Sequence, residues 1–113
     1  SALIPALVAS GLPCDRFVFE GFLPIKKGRQ TRIKAWATES RTLVFYESPH
    51  RLARCLRELE EHLGADRPIC VVREISKIYE TYHRGTIGEL AAHFAQQEAK
   101  GEIVIVLGGA EAS

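Results

Sequence analysis

Methionine is absent from this chain of 113 residues. Translation starts with that residue, so the expectation is a processed or truncated piece of something longer. Cysteine is scarce: Cys14, Cys55 and Cys70 are odd in number and show no C-x-x-C spacing. That pattern excludes a disulfide framework and a zinc site, and it points to thiols in a reducing compartment. No apolar run approaches membrane-spanning length and nothing resembles a signal peptide, so a cytoplasmic protein without a membrane partner is expected. A Walker loop, G-x-S-x-G, H-E-x-x-H and G-x-G-x-x-G are all missing, which removes the chemistries those motifs carry. The four histidines lack a metal-ligand spacing, and no metal is expected.

What is present describes one soluble domain. Hydrophobic residues make up 46% and charged residues 26% of the chain, enough for one core and short for two. The net charge of +1 argues for no particular partner, but its distribution is uneven. Lys26, Lys27, Arg29, Arg32 and Lys34 crowd together, and no acid occurs between Glu20 and Glu39.

Periodicity supplies the elements. Leu3, Leu7 and Val8 share a helical face, and G-L-P-C-D then makes a turn. R-F-V-F-E-G-F-L-P (16–24) reads as a strand. Ile33, Trp36 and Ala37 suggest a weakly amphipathic helix behind the basic loop. T-L-V-F-Y is a buried strand, and Leu52, Leu56, Leu59 and Leu63 mark a helix over 49–63 that Gly64 ends. P-I-C-V-V-R-E-I (68–75) is another strand, and Y-E-T-Y-H-R-G an exposed strand or hairpin arm. Ile87, Leu90, Ala91 and Phe94 form a helix face closed at Lys100-Gly101, and E-I-V-I-V-L-G-G is the last strand. Helices alternating with apolar strands predict an α/β fold with a mixed sheet of about five strands flanked by helices.

Three stretches are candidates for chemistry. In F-Y-E-S-P-H-R, Ser48-Pro49 is a good helix start, since Ser caps orphan N–H groups and Pro loses no hydrogen bond there. Ligands in open α/β sheets lie beyond the carboxyl ends of strands, which is where Glu47 falls. Glu47 is therefore either a surface carboxylate favouring the helix dipole or an acceptor or base for a ligand. His50 and Arg51 oppose the dipole and suit either solvent or an anion such as a phosphate. Arg73, Glu74 and Lys77 follow a buried strand, as a ligand-facing group or a salt-bridged rim. Thr86-x-x-Glu89 matches a capping box and is structural. In K-K-G-R-Q-T-R-I-K, the cations are either a solvated loop or phosphate contacts, with Trp36 either core or a stacking platform for a base.

Read together, four blocks resemble the ribosomal RNA small subunit methyltransferase I family. They are S-G-L-P-x-D-R-F-V-F-E-G-F-L-P, R-T-L-V-F-Y-E-S-P-H-R-L, V-V-R-E-I-S-K-x-Y-E-x-x-x-R-G-T and K-G-E-I-V-I-V-L-G-G. The resemblance covers nearly the whole chain. It implies a tetrapyrrole-methylase-like fold of two α/β domains with S-adenosylmethionine between them, residues 1–113 being the C-terminal domain alone. It also implies 2′-O-methylation of a cytidine in 16S ribosomal RNA, with the small ribosomal subunit as partner and a homodimer as the assembly. By the same resemblance, Ser1, Ala2, Tyr46, Glu47, Ser48, Ile75 and Ile103 contact the cofactor. Glu47 and Lys77 are then candidates for proton acceptor and substrate organiser, and Lys26, Lys27, Arg29, Arg32, His50 and Arg51 for RNA contacts. Tetrapyrrole methylases typically carry Tyr-Met-Gly where this chain has Tyr46-Glu47-Ser48. The acidic replacement suggests that Glu47 meets something polar and disfavours a tetrapyrrole substrate. A related methylase for tetrapyrroles or protein side chains, or a non-catalytic dimerisation module, are the competing readings.

Overall fold

The computed structural model describes residues 9–76, 79–97 and 99–111. The proposed helix face of Leu3, Leu7 and Val8 lies outside them, as do Ser1, Ala2 and Lys77. Strand β1 spans Phe17–Phe22 and helix α1 Arg29–Ala35, continued as a 3₁₀ turn over Trp36–Thr38. Strand β2 (Thr42–Glu47) leads through a 3₁₀ turn at Pro49–Arg51 into α2 (Leu52–Leu63). Then come β3 (Pro68–Ser76), β4 (Tyr79–Thr86), α3 (Ile87–Gln96) and β5 (Glu102–Leu107).

The five strands form one mixed sheet in the order β1-β2-β5-β3-β4. The β1–β2 pair is parallel, and the other neighbours run antiparallel. Strand alternation decides which side chains reach the helices. Leu43 and Phe45 of β2, Ile69 and Val71 of β3, and Ile103, Ile105 and Leu107 of β5 point to one face. There they join Ile33, Trp36, Leu52, Leu56, Leu59, Ile87, Leu90 and Phe94 in the main core. Burying each such Leu or Ile contributes roughly 1.5–3 kcal/mol against conformational entropy. On the opposite face Val44, Cys70, Val72, Val104 and Val106 make a second cluster, against which Leu12, Tyr46 and Tyr82 pack.

Local chemistry sets the element ends. The Ser48 hydroxyl accepts from the His50 N–H at 3.3 Å, with Pro49 opening the 3₁₀ turn, so the helix start is real. At Thr86 the capping box is complete: its hydroxyl accepts from the Glu89 N–H, and the Glu89 carboxylate accepts from the Thr86 N–H. Gly64 follows α2 with φ of +90°, a backbone state that disfavours any side chain. Of the two readings of Trp36, core holds: its ring lies 5.0 Å from that of Phe45 at an angle of 42°, so it offers no platform for a base. One expectation changes. Helix α3 stops at Gln96, and Gly101 with φ of +85° instead introduces β5. Among the described residues, no helix is long and apolar enough to cross a membrane.

Candidate functional site

Register brings the carboxyl ends of β1 and β2 beside the start of β5. Phe22 lies opposite Tyr46, Tyr46 opposite Val104, and Glu47 opposite Ile103. A cleft of about 580 Å³ opens there, lined by Phe22, Tyr46, Glu47, Ser48, Pro49, Gly101, Glu102 and Ile103. Four of the expected cofactor residues, Tyr46, Glu47, Ser48 and Ile103, therefore meet in one place. The backbone of Ile75 runs nearby on β3, whose preceding residue Glu74 pairs with Glu102. Gly101 and Glu102 also line the cleft and were not anticipated. Their position depends on cross-strand register, which sequence spacing does not reveal.

Glu47 behaves differently from the expectation of a ligand-facing acceptor. Alternation turns its side chain to the helix face, where it is buried. Its Oε2 accepts from Arg29 Nη2 at 3.3 Å and its Oε1 from the Ser48 N–H at 2.8 Å. Arg29 also donates through Nε to both Glu58 oxygens at 3.1 and 3.2 Å, and through Nη1 to the Pro24 carbonyl at 3.2 Å. This bifurcated pair is a frame. It ties the β1–α1 loop, the end of β2 and the middle of α2 together. A buried ion pair of this kind adds little net stability, yet losing one partner strands the other charge. Arg29 is thus no RNA contact: its side chain is only 7% exposed and its donors are committed inside the fold. The polar group that Glu47 meets is Arg29. Nearby, burial pushes the Cys55 thiol up, and the Glu47 charge adds to that shift.

The remaining expected RNA contacts separate. Lys26, Lys27 and Arg32 are exposed, Arg32 lying 3.8 Å from Glu20. Arg51 lines a small surface cleft with Ile25, Arg29, Arg54 and Glu58. His50 turns elsewhere, toward a hollow between the start of α2 and the end of α3 that Phe94 and Gln97 also line. Among the described residues Arg73 forms no rim pair with an acid: its Nε donates to Thr81 Oγ1 at 3.2 Å. Glu74 stands opposite Glu102 on β5 and Glu80 on β4, so that rim of the sheet is acidic. Tyr82 Oη donates to Glu80, and that bond raises the phenol pKa.

Comparison with known proteins places this geometry. The family model for Tetrapyrrole (Corrin/Porphyrin) Methylases matches residues 1–91. Ribosomal RNA small subunit methyltransferase I of Synechocystis is 46% identical over 111 residues, covering 97% of this chain and 40% of that protein. The protein of the same name from Escherichia coli O157:H7 is 47% identical, covering 98% of this chain and 40% of its own length. This chain thus spans about two fifths of these relatives. Among solved structures, the methyltransferase CobJ superposes with a TM-score of 0.70 at 20% identity, over 97% of this chain and 48% of that one. Uroporphyrin-III C-methyl transferase from Thermus thermophilus, solved with S-adenyl homocysteine, gives a TM-score of 0.60 at 24% identity over 91% of this chain and 48% of that one. Fold and sequence agree: the chain belongs to the tetrapyrrole (corrin/porphyrin) methylase family.

Proposed function

We propose that this chain is the C-terminal domain of a cytoplasmic, homodimeric methyltransferase that methylates a cytidine 2′-hydroxyl of 16S ribosomal RNA with S-adenosylmethionine. The observation that carries the reading is the convergence of Tyr46, Ser48 and Ile103 on one strand-end cleft. It is supported by relatives at 46–47% identity named for ribosomal RNA small subunit methylation. The cleft suits the cofactor in chemistry and size. Small-molecule sites of about 300–1,000 Å³ combine apolar walls with a few placed polar groups, and here Phe22, Tyr46 and Ile103 flank Ser48. When bound, the cofactor supplies a methyl group on a positively charged sulfur.

The side chains divide the work. Ser48 Oγ accepts from the His50 N–H, which leaves its own proton to donate into the cleft. Glu47 acts through Ser48 and Arg29, so it is a positioning residue: it holds the Ser48 amide and thereby the strand end. Lys77, next to β3 in sequence, is the organiser of the substrate hydroxyl, and Ser1 and Ala2 complete the cofactor contacts. Methyl transfer to a ribose oxygen needs in-line alignment and a route for the departing proton, which is a positioning task.

The test is methylation of small ribosomal subunits by the intact enzyme with labelled cofactor, followed by nucleoside mass spectrometry. The expected product is 2′-O-methylcytidine. A methyl group on a base, or transfer only to a tetrapyrrole, would sink the proposal.

A further inference from the structure

Strand β1 carries an aromatic strip that the cofactor cleft does not account for. Phe17, Phe19 and Phe22 are 38%, 46% and 66% exposed. In an uninterrupted strand Phe19 and Phe22 would point to opposite faces, because side chains alternate. A β-bulge prevents this. The register runs Phe19 to Val44 and then Gly21 to Phe45, leaving Glu20 as the extra residue. Gly21, with φ of +67°, supplies the backbone state that such a bulge requires. Phe22 is thereby re-aimed onto the face of Phe17 and Phe19. Tyr46 backs the strip, its ring 5.5 Å from Phe19 and 5.3 Å from Phe22.

The surroundings are cationic on the β1 side. Lys26 and Lys27 are exposed in the loop that leaves β1, and Ile25 of that loop shares a cleft with Arg51 and Arg54. Glu20 is answered by Arg32 at 3.8 Å. Beyond the cofactor cleft, by contrast, Glu102, Glu74 and Glu80 stand in a row.

We propose that Phe19, Phe22 and Tyr46 form a stacking platform for unpaired bases of the RNA substrate, with Lys26 and Lys27 of the adjoining loop taking the flanking phosphates. The proposal rests on the RNA methyltransferase reading and deepens it. Single strands bind where aromatic faces receive bases and a basic groove follows the backbone. Phe22 and Tyr46 also wall the cofactor cleft, so a base stacked on Phe22 lies at the mouth of that cleft. Charge favours RNA over a second copy of the chain. A two-fold interface centred on this strip would set the strip against itself, bringing the Lys26 and Lys27 loops of both copies together.

The experiment measures binding of a single-stranded 16S RNA fragment to the intact enzyme by fluorescence anisotropy across a salt series, with sedimentation of each variant. Removing a stacking partner costs about 1–3 kcal/mol per base. Phe19→Ala/Phe22→Ala is therefore expected to weaken binding by about tenfold or more without changing the salt slope. Phe22→Trp retains the affinity of the unaltered enzyme. Lys26→Ala/Lys27→Ala flattens the salt slope by about 1.4, from two lost single-strand phosphate contacts. Unchanged affinity in the double Phe variant, while the unaltered enzyme binds RNA, overturns the platform and leaves the methyltransferase reading standing. A double Phe variant whose sedimentation shifts to monomer, with affinity restored when dimerisation is enforced, assigns the strip to self-association and also overturns it. Failure of the unaltered enzyme to bind or methylate RNA overturns the underlying reading itself.

Discussion

The two ends of the sheet are built by different means. At the Gly108 end the hydrogen bonds converge on backbone carbonyls. Arg67 donates to the carbonyls of Gly108 and Trp36, Gly108 N–H to Pro68, and Ala110 N–H to Glu39. A Cβ at Gly109 would overlap the Ser40 carbonyl, so the chain passes there with no room for a side chain. At the Glu47 end, side chains carry the structure: Arg29 bridges Glu47 and Glu58 beneath an open cleft, and aromatic rings stay in solvent. The contrast teaches how space is apportioned: the Gly108 end keeps a hollow of about 240 Å³ lined by Thr42, Pro68, Gly108 and Gly109, whereas the end framed from below by an ion pair opens a cleft of about 580 Å³ at the strand tips.

Cutting the frame is expected to give the largest effect. Arg29→Ala strands the Glu47 carboxylate in the core, and losing one partner of a buried pair costs about 3–5 kcal/mol. Chemical denaturation should show that loss, while Lys26→Ala, on the exposed loop, should leave the midpoint unchanged. Equal, small effects for both would return Arg29 to the surface. Next comes the opposite end. Gly109→Ala forces backbone apart at Ser40, and overpacking of this kind costs about 1–3 kcal/mol or more. Thermal unfolding should report it, and a wild-type Tm would contradict the close passage. A smaller effect is expected at the Thr86 capping box, where Thr86→Ala removes a cap worth about 1 kcal/mol. Gly at that position should recover most of the loss.

The smallest effect concerns pH. Hydrogen bonds from Arg41 hold the Glu39 carboxyl down at about 2, against the 4.5 of an unperturbed carboxyl. A depressed acid pKa means that the stabilisation is present above about 4.5 and disappears as pH falls toward about 2. Glu39→Gln should therefore match the unaltered chain at the bottom of this window and fall below it at neutral pH. The gap is small because the pair lies at the surface. An identical pH profile for both proteins would show that the pair is not coupled to folding.

Much of the fold was legible because its signals are local. The apolar run T-L-V-F-Y, the leucines from Leu52 to Leu63, Gly64 and Thr86-x-x-Glu89 each act within a few residues, and each element appears as expected. The end of α3 departs from the expectation, since Gly101 serves a strand start as readily as a helix stop. The site was half legible. F-Y-E-S-P marks a strand end turning into a helix, and Tyr46 and Ser48 line the cleft that opens there. Whether a charge faces solvent or the core is a property of register and of distant partners. Arg29 sits among four exposed cations in sequence, but Glu58, 29 residues away, draws it inward. Phe22 shows the same limit: only pairing with β2 reveals the bulge that turns it outward.

The proposed function assigns the cofactor to the Glu47 end of the sheet and not to the Gly108 end. Amide chemical-shift mapping of the intact protein during titration with S-adenosylhomocysteine tests it most directly. Saturable shifts are expected at Tyr46, Ser48 and Ile103, with Arg67, Gly108 and Gly109 silent. Shifts confined to the Gly108 end, or no saturable change at Ser48 and Ile103 while calorimetry shows binding, would contradict it.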